Sequence, residues 1–159
     1  MAQEPAILLQ SVTRRFGKVT AVENVSLAVA PGRLVGFIGP SGSGKTTCVR
    51  MLCGLLSPSE GAVRVLGKDP CRMTGPERTR IGYLPQHFLL YPNLSVSANI
   101  SFVAGLYGLG LRERGKRMRE VLERVQLWEE RGRMASDLSG GMQRRLALAA
   151  TLVHNPQVL

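Results

Sequence analysis

At 159 residues the chain is long enough for one hydrophobic core, and its hydrophobic content of 44% is ordinary for a globular protein. No apolar run approaches the ~18 residues of a membrane span, and Met1-Ala2-Gln3-Glu4-Pro5 lacks the basic region and apolar stretch of a secretory signal. The net charge of +10 raises nucleic acid or an anionic surface as partners, yet the densest basic stretch, Arg112 to Arg133, also holds Glu113, Glu120, Glu123, Glu129 and Glu130. Mixed signs of this kind read as a solvated helix face without base-stacking aromatics, so no nucleic acid is expected. Cys48, Cys53 and Cys71 have no metal-ligand spacing and an odd count, which suits small apolar side chains in a reducing compartment.

In chain order, Ile7-Leu8-Leu9 and Val22 to Val29 read as strands of an N-terminal antiparallel piece, broken by Arg15-Phe16-Gly17-Lys18. Pro31-Gly32 is a turn. Leu34-Val35-Gly36-Phe37-Ile38 has the continuous apolar character of a fully buried strand. A helix over Thr46 to Cys53 follows, with Gly54 as its stop. Ala62 to Leu66 is a strand ended by Gly67, and Ile81-Gly82-Tyr83-Leu84 another, stopped by Pro85. The pattern then turns helical: Val96, Ile100, Val103 and Tyr107 recur at helical spacing, as do Met118, Val121, Leu122 and Val125. Gly105, Gly108, Gly110 and Gly115 are expected to interrupt these helices. A last helix starts at Ser139 as N-cap and buries Met142, Leu146, Ala149, Ala150 and Val153. Asn155-Pro156 ends it, and Val158-Leu159 reads as the first step of a further buried strand.

Two motifs carry chemistry. Gly39-Pro40-Ser41-Gly42-Ser43-Gly44-Lys45-Thr46 fits G-x-x-x-x-G-K-[ST] between a strand and a helix, the context that a phosphate-binding loop requires. Its glycines let successive N–H groups turn inward, and the helix N-terminus adds positive potential. Lys45 is placed to reach the β- and γ-phosphates of a nucleotide and the Thr46 hydroxyl to ligate Mg²⁺. Leu138-Ser139-Gly140-Gly141-Met142-Gln143 is a second glycine pair, opening a second helix.

With these motifs in this order, the chain resembles the ATP-binding subunit of ABC transporters from about Ile7 to its last residue. Leu138-Ser139-Gly140-Gly141 is similar to that family's signature and Leu84-Pro85-Gln86 to its Q-loop. Tyr91-Pro92-Asn93-Leu94-Ser95-Val96, Leu106-Tyr107-Gly108 and Gly141-Met142-Gln143-Arg144-Arg145-Leu146 are most similar to the ABC-2 type exporter group. The resemblance implies an α/β P-loop ATPase with an N-terminal antiparallel β piece and a helical signature subdomain. It implies a nucleotide-binding core over about 1–86, a helical subdomain over about 87–140, and the signature helix with the start of a strand over 141–159. Phe16 would stack on adenine, and Gly39 to Thr47 would hold the phosphates of Mg–ATP. Gln86 would contact Mg²⁺ or the attacking water. Ser139, Gly140 and Gly141 would meet the γ-phosphate held by a second subunit in a head-to-tail dimer. A transmembrane permease subunit would dock near His87 to Ser97, where Phe88, Leu89, Leu90 and Tyr91 are too apolar for a solvated loop, placing the protein at the cytoplasmic face of the membrane.

The departures from the family pattern are few. Met142 stands where the commonest signature has Gln, and Ala98 where an acidic residue would complete a capping box with Ser95, a loss of about 1 kcal/mol. The family's Walker B aspartate and glutamate are expected after Leu159. His87 and His154 do not substitute, and His154 reads as a helix C-terminal residue favouring positive charge. From these residues alone ATP binding is expected, and hydrolysis at a useful rate is not. Alternatives are a non-transport relative in DNA repair or translation, disfavoured by one P-loop and no paired cysteines, or an inert fragment.

Overall fold

The structure, a computed structural model, describes residues 4–86 and 90–159. The described chain divides into two compact units, Met1–Arg78 and Thr79–Leu159.

The first unit is built on a three-stranded antiparallel sheet in the order β2-β1-β3, with β1 spanning Ile7–Phe16, β2 Val19–Val29 and β3 Glu60–Val65. The hairpin is tighter than the sequence suggests. Arg15 and Phe16 stay in β1, Phe16 pairs with Val19, and the turn is Gly17-Lys18 with Gly17 at φ +57°. Register shifts along β1 bend the strand, and the extra residues are held by side chains: Ser11 N–H donates to Ser26 Oγ at 2.9 Å, and Asn24 N–H to Thr13 Oγ1 at 3.0 Å. Helix α1, Lys45–Leu52, packs on this sheet, and Leu9, Val12, Val22, Cys48, Met51 and Val63 form the core. Burial pushes the Cys48 thiol upward, in keeping with an inert apolar role. Gly54 stops α1 as expected. It sits at φ +68° and donates to Met51 O at 3.0 Å, while Leu55 N–H reaches Arg50 O at 2.9 Å. This satisfies the last carbonyls of the helix. A one-turn helix, α2, covers Gly75–Arg78.

The segment Leu34–Ile38 is not the buried strand its composition indicates. It has no ladder partner among the described residues, and Leu34 and Ile38 are fully exposed. An apolar run of this kind becomes a buried strand only when flanked by neighbours, and the described sheet does not extend to it.

The second unit is helical: α3 spans Val96–Leu106, α4 Leu111–Arg124 and α5 Gly140–Leu152. Their apolar faces meet in a core that includes Ile100, Val121, Leu122, Leu127, Leu146 and Val153. Two of the four glycines do not interrupt the helices. Gly105 lies inside α3 and Gly115 inside α4. A Cβ at Gly105 would come within 3.2 Å of the Arg114 guanidinium, so the missing side chain accommodates α4. Gly108 does end α3, at φ +76° with Leu109 N–H donating to Ala104 O at 3.1 Å. Arg117 of α4 reaches the end of α5, donating to Leu152 O and Val153 O, each at 3.0 Å. It thereby supplies partners that α5 leaves unmade. The basic face of α4 is laced with acids: Glu120 pairs with Arg117 and Arg124, and Glu123 with Arg119. Ile81–Leu84 forms a single parallel bridge, Ile81 to Val158, rather than a full strand. Among the described residues no helix is long and apolar enough to cross a membrane.

Candidate functional site

The two helices that follow glycine-rich segments start differently. Helix α1 has Gly44 as its N-cap, in the left-handed region at φ 84°, with no capping side chain and no acidic residue in its first turn. The first intrahelical bond is Cys48 N–H to Gly44 O, at 2.9 Å. The N–H groups at Lys45, Thr46 and Thr47 therefore point out of the helix without intrahelical acceptors. Together with the helix dipole they make a cradle for an anion. Lys45 closes it: Nζ donates to Gly39 O at 2.7 Å, Pro40 O at 2.6 Å and Ser43 Oγ at 3.3 Å. An ammonium has three donors, and all three are engaged with the loop that winds around it. A phosphate entering the cradle exchanges some of these neutral acceptors for charged oxygens, and hydrogen bonds with an ionised acceptor are the stronger.

Gly44 has a second constraint that the sequence did not disclose. A Cβ there would lie 2.3 Å from Ala21 O and 3.0 Å from Val22 Cγ2. The obstacle to a side chain at this position is thus strand β2, besides any approaching phosphate.

The Thr46 hydroxyl is exposed in the first turn of α1, and among the described residues it makes no side-chain hydrogen bond. It is one hard oxygen beside an anion cradle. That suits Mg²⁺, which takes few protein ligands and completes its shell with phosphate and water. Gln86 is exposed and belongs to the second unit. His87, Phe88 and Leu89 lie outside the described residues.

Phe16 ends β1 and is 45% exposed rather than part of the core. The Arg14 guanidinium carbon sits 4.6 Å from the centre of its ring.

In the second unit, α5 is capped by Ser139, whose Oγ accepts from Met142 N–H at 3.3 Å. Neither Gly140 nor Gly141 has a positive φ, and a Cβ on either meets nothing within 4 Å. The chain's own packing therefore gives no reason for glycine at these two positions. Gln143 donates to Ala135 O at 3.1 Å, tying α5 to the segment before it.

The same unit holds an open cavity of about 250 Å³, lined by Tyr83, Leu84, Pro85, Tyr91 and Tyr107 among others. Leu90 packs against the helical core, whereas Tyr91 is exposed and meets Phe102 edge-on at 4.7 Å. The residue organising this wall is Asn99, which sequence reading passed over. It is 2% exposed, accepts from Tyr91 N–H at 2.9 Å, and donates to the carbonyls of Tyr91, Leu94 and Ser95 at 3.0–3.1 Å. A polar residue on the apolar face of α3 is the signal that could have found it. His154 corrects another expectation. Its ring stacks on Tyr107 at 3.7 Å, and neither nitrogen has a partner at hydrogen-bonding distance. Burial chiefly, with nearby Arg117 acting in the same direction, lowers its pKa. The ring is therefore neutral at pH 7, not a positive helix terminus.

The family profile described as ABC transporter matches residues 22–159. The chain belongs to the ABC transporter family. It is 40% identical over 155 residues to the spermidine/putrescine import ATP-binding protein PotA of Pseudomonas aeruginosa, an alignment covering 98% of this chain and 42% of that protein. It is 38% identical over 156 residues to the probable multidrug ABC transporter ATP-binding protein YbhF of Escherichia coli, covering 98% of this chain and 27% of that one. The chain thus spans less than half the length of either. Among solved structures it is similar to cbiO1 from Clostridium perfringens, part of the ABC transporter complex cbiONQ, with a TM-score of 0.88 at 24% identity over 97% of this chain and 63% of that one. An ATP-binding subunit of an ABC transporter matches with a TM-score of 0.81 at 23% identity, over 95% and 63%. At these identities the likeness establishes the fold, that of an ABC ATPase.

Proposed function

We propose that this ABC domain binds Mg–ATP at the α1 cradle and, in the complete subunit, couples its hydrolysis to transport through a membrane partner. The observation that carries this reading is the uncapped N-terminus of α1, with Lys45 folded into the loop that would receive the phosphates. Phe16 stacks on the adenine. Gly39 to Thr47 hold the phosphates, and Lys45 neutralises charge as it builds on them. Thr46 and Gln86 hold Mg²⁺, which screens the phosphate oxygens when bound. Ser139, Gly140 and Gly141 approach the γ-phosphate on a second ATP-binding subunit, head to tail. That role supplies the reason for glycine which the chain's own packing does not. The Tyr91 wall of the cavity receives a helix of the permease, at the cytoplasmic face of the membrane.

Export, of the ABC-2 type, is the finer reading of direction, and it rests on Tyr91 to Val96 with Leu106-Tyr107-Gly108, and on Gly141 to Leu146. Most of the relatives are named as import proteins, against this reading, and YbhF is named as a probable multidrug transporter. Uptake or release of a labelled substrate in inside-out vesicles decides the direction. The nucleotide site is tested by calorimetry of the full chain with Mg–ATP. Lys45→Ala is expected to weaken binding by at least about tenfold, the loss of one charge-assisted contact. An unchanged affinity would overturn the proposal.

A further inference from the structure

We infer that Arg14 is a positioning residue for nucleotide binding, fixing the Phe16 ring as a platform for the base and tying that platform to the segment behind α1. The inference rests on the reading of Phe16 as the adenine-stacking residue. Arg14 and Phe16 are two apart on β1 and so share a face. The guanidinium carbon lies 4.6 Å from the ring centre, within the range of a cation–π contact. The cation covers part of the ring, and Phe16 is still 45% exposed, so surface is left for a flat ligand. The guanidinium is itself anchored: Nη1 donates to Ser57 O at 2.8 Å, in the loop that follows α1. Around this point the loop is stitched to the end of β1. Ser59 N–H donates to Thr13 O at 2.8 Å, Arg15 N–H to Ser59 Oγ at 3.0 Å, and Arg15 pairs with Glu60. Arg14 thus connects the hairpin carrying the ring to the far end of the helix carrying the phosphate cradle.

Arginine here carries a cost as well as its two contacts. Its Nε is buried with no hydrogen-bond partner, a desolvation cost that a methionine of similar length would avoid. A planar cation that spans a ring face and a carbonyl at once is what arginine offers and lysine does not.

Calorimetry on the full chain separates the base from the phosphates by comparing ATP with inorganic tripolyphosphate, which has no base. Arg14→Met is expected to weaken ATP binding about fivefold to tenfold, the scale of a cation–π contact and its anchor, and to leave tripolyphosphate affinity unchanged. The tripolyphosphate result also reports that the variant is folded. Arg14→Lys should recover part of the loss. Arg14→Met added to Phe16→Ala should cost no more than Phe16→Ala alone, because the two act through one ring. Equal losses for ATP and tripolyphosphate would make Arg14 merely structural and overturn the inference. So would unchanged ATP affinity in Arg14→Met where Phe16→Ala weakens it. If Phe16→Ala leaves ATP affinity unchanged, the platform reading itself fails, and this inference fails with it.

Discussion

Helices α1 and α5 both begin at glycine, for opposite reasons. At Gly44 the protein's own backbone demands it: φ is 84°, and a Cβ would collide with the Ala21 carbonyl at 2.3 Å. At Gly140 and Gly141 the backbone is ordinary and the space in front is open. The capping differs in the same sense. Helix α5 satisfies one of its first N–H groups with Ser139, whereas α1 has no capping side chain. A helix start without a capping side chain leaves its first donors open, which suits the proposed phosphate site. On the proposed reading, a capped start led by glycines that its own packing does not need leaves room for the nucleotide of a second subunit.

Substitutions should split the two sites. The largest effect is expected for Gly44→Val. A β-branched residue at positive φ, in overlap with a neighbouring carbonyl, should cost about 3 kcal/mol or more. Urea denaturation should register this as a lower midpoint even without nucleotide. If stability were unchanged and only ATP binding lost, the β2 contact would be the wrong explanation. Ser139→Ala should cost about 1 kcal/mol, the usual worth of an N-cap, measured the same way. No such cost arises at α1, which has no cap to lose.

The two units should also differ in pH response. In the second unit, His154 has its pKa lowered below 6.5 by burial. The unfolded chain therefore takes up a proton first, and stability should fall as pH drops through 6.5 toward the lower folded value. His154→Phe should flatten that slope in a denaturation series from pH 7.5 to 5. In the first unit, Lys68 chiefly, with Thr74, holds the Glu77 carboxyl down at about 2. Its contribution is present above 4.5 and is lost as pH falls from 4.5 toward 2. Glu77→Gln should remove it without altering the response near neutrality. The smallest expected effect is a gain. Gln126 ends α4 in the left-handed region at φ 57°, so Gln126→Gly should stabilise by about 0.5–1 kcal/mol in the same assay.

The helix that follows the glycine-rich loop, its stop at Gly54, the helical repeats and the Ser139 cap were all legible, because each is a local rule written in consecutive residues. What escaped depended on partners remote in sequence. Leu34–Ile38 reads as a buried strand from its side chains alone, but burial is conferred by neighbours. Gly105 reads as a break until Arg114 is seen lying against it. Arg14 and Asn99 carry no motif, and their weight comes from a ring, a distant carbonyl and a loop that folding brings to them. His154, from its place at a helix end alone, reads as a position favouring positive charge. Burial against Tyr107 outweighed the terminal field.

The contrast between the two helix starts is tested most directly by Gly141→Ala in the full chain, read in two ways at once. Alanine in the first turn of a helix, with open space before it, should leave stability equal or raise it by up to about 1 kcal/mol. ATP-dependent pairing of subunits, followed by light scattering, should be lost. Pairing that survives in a fully stable Gly141→Ala protein would contradict the claim that this surface is kept clear for an approaching nucleotide.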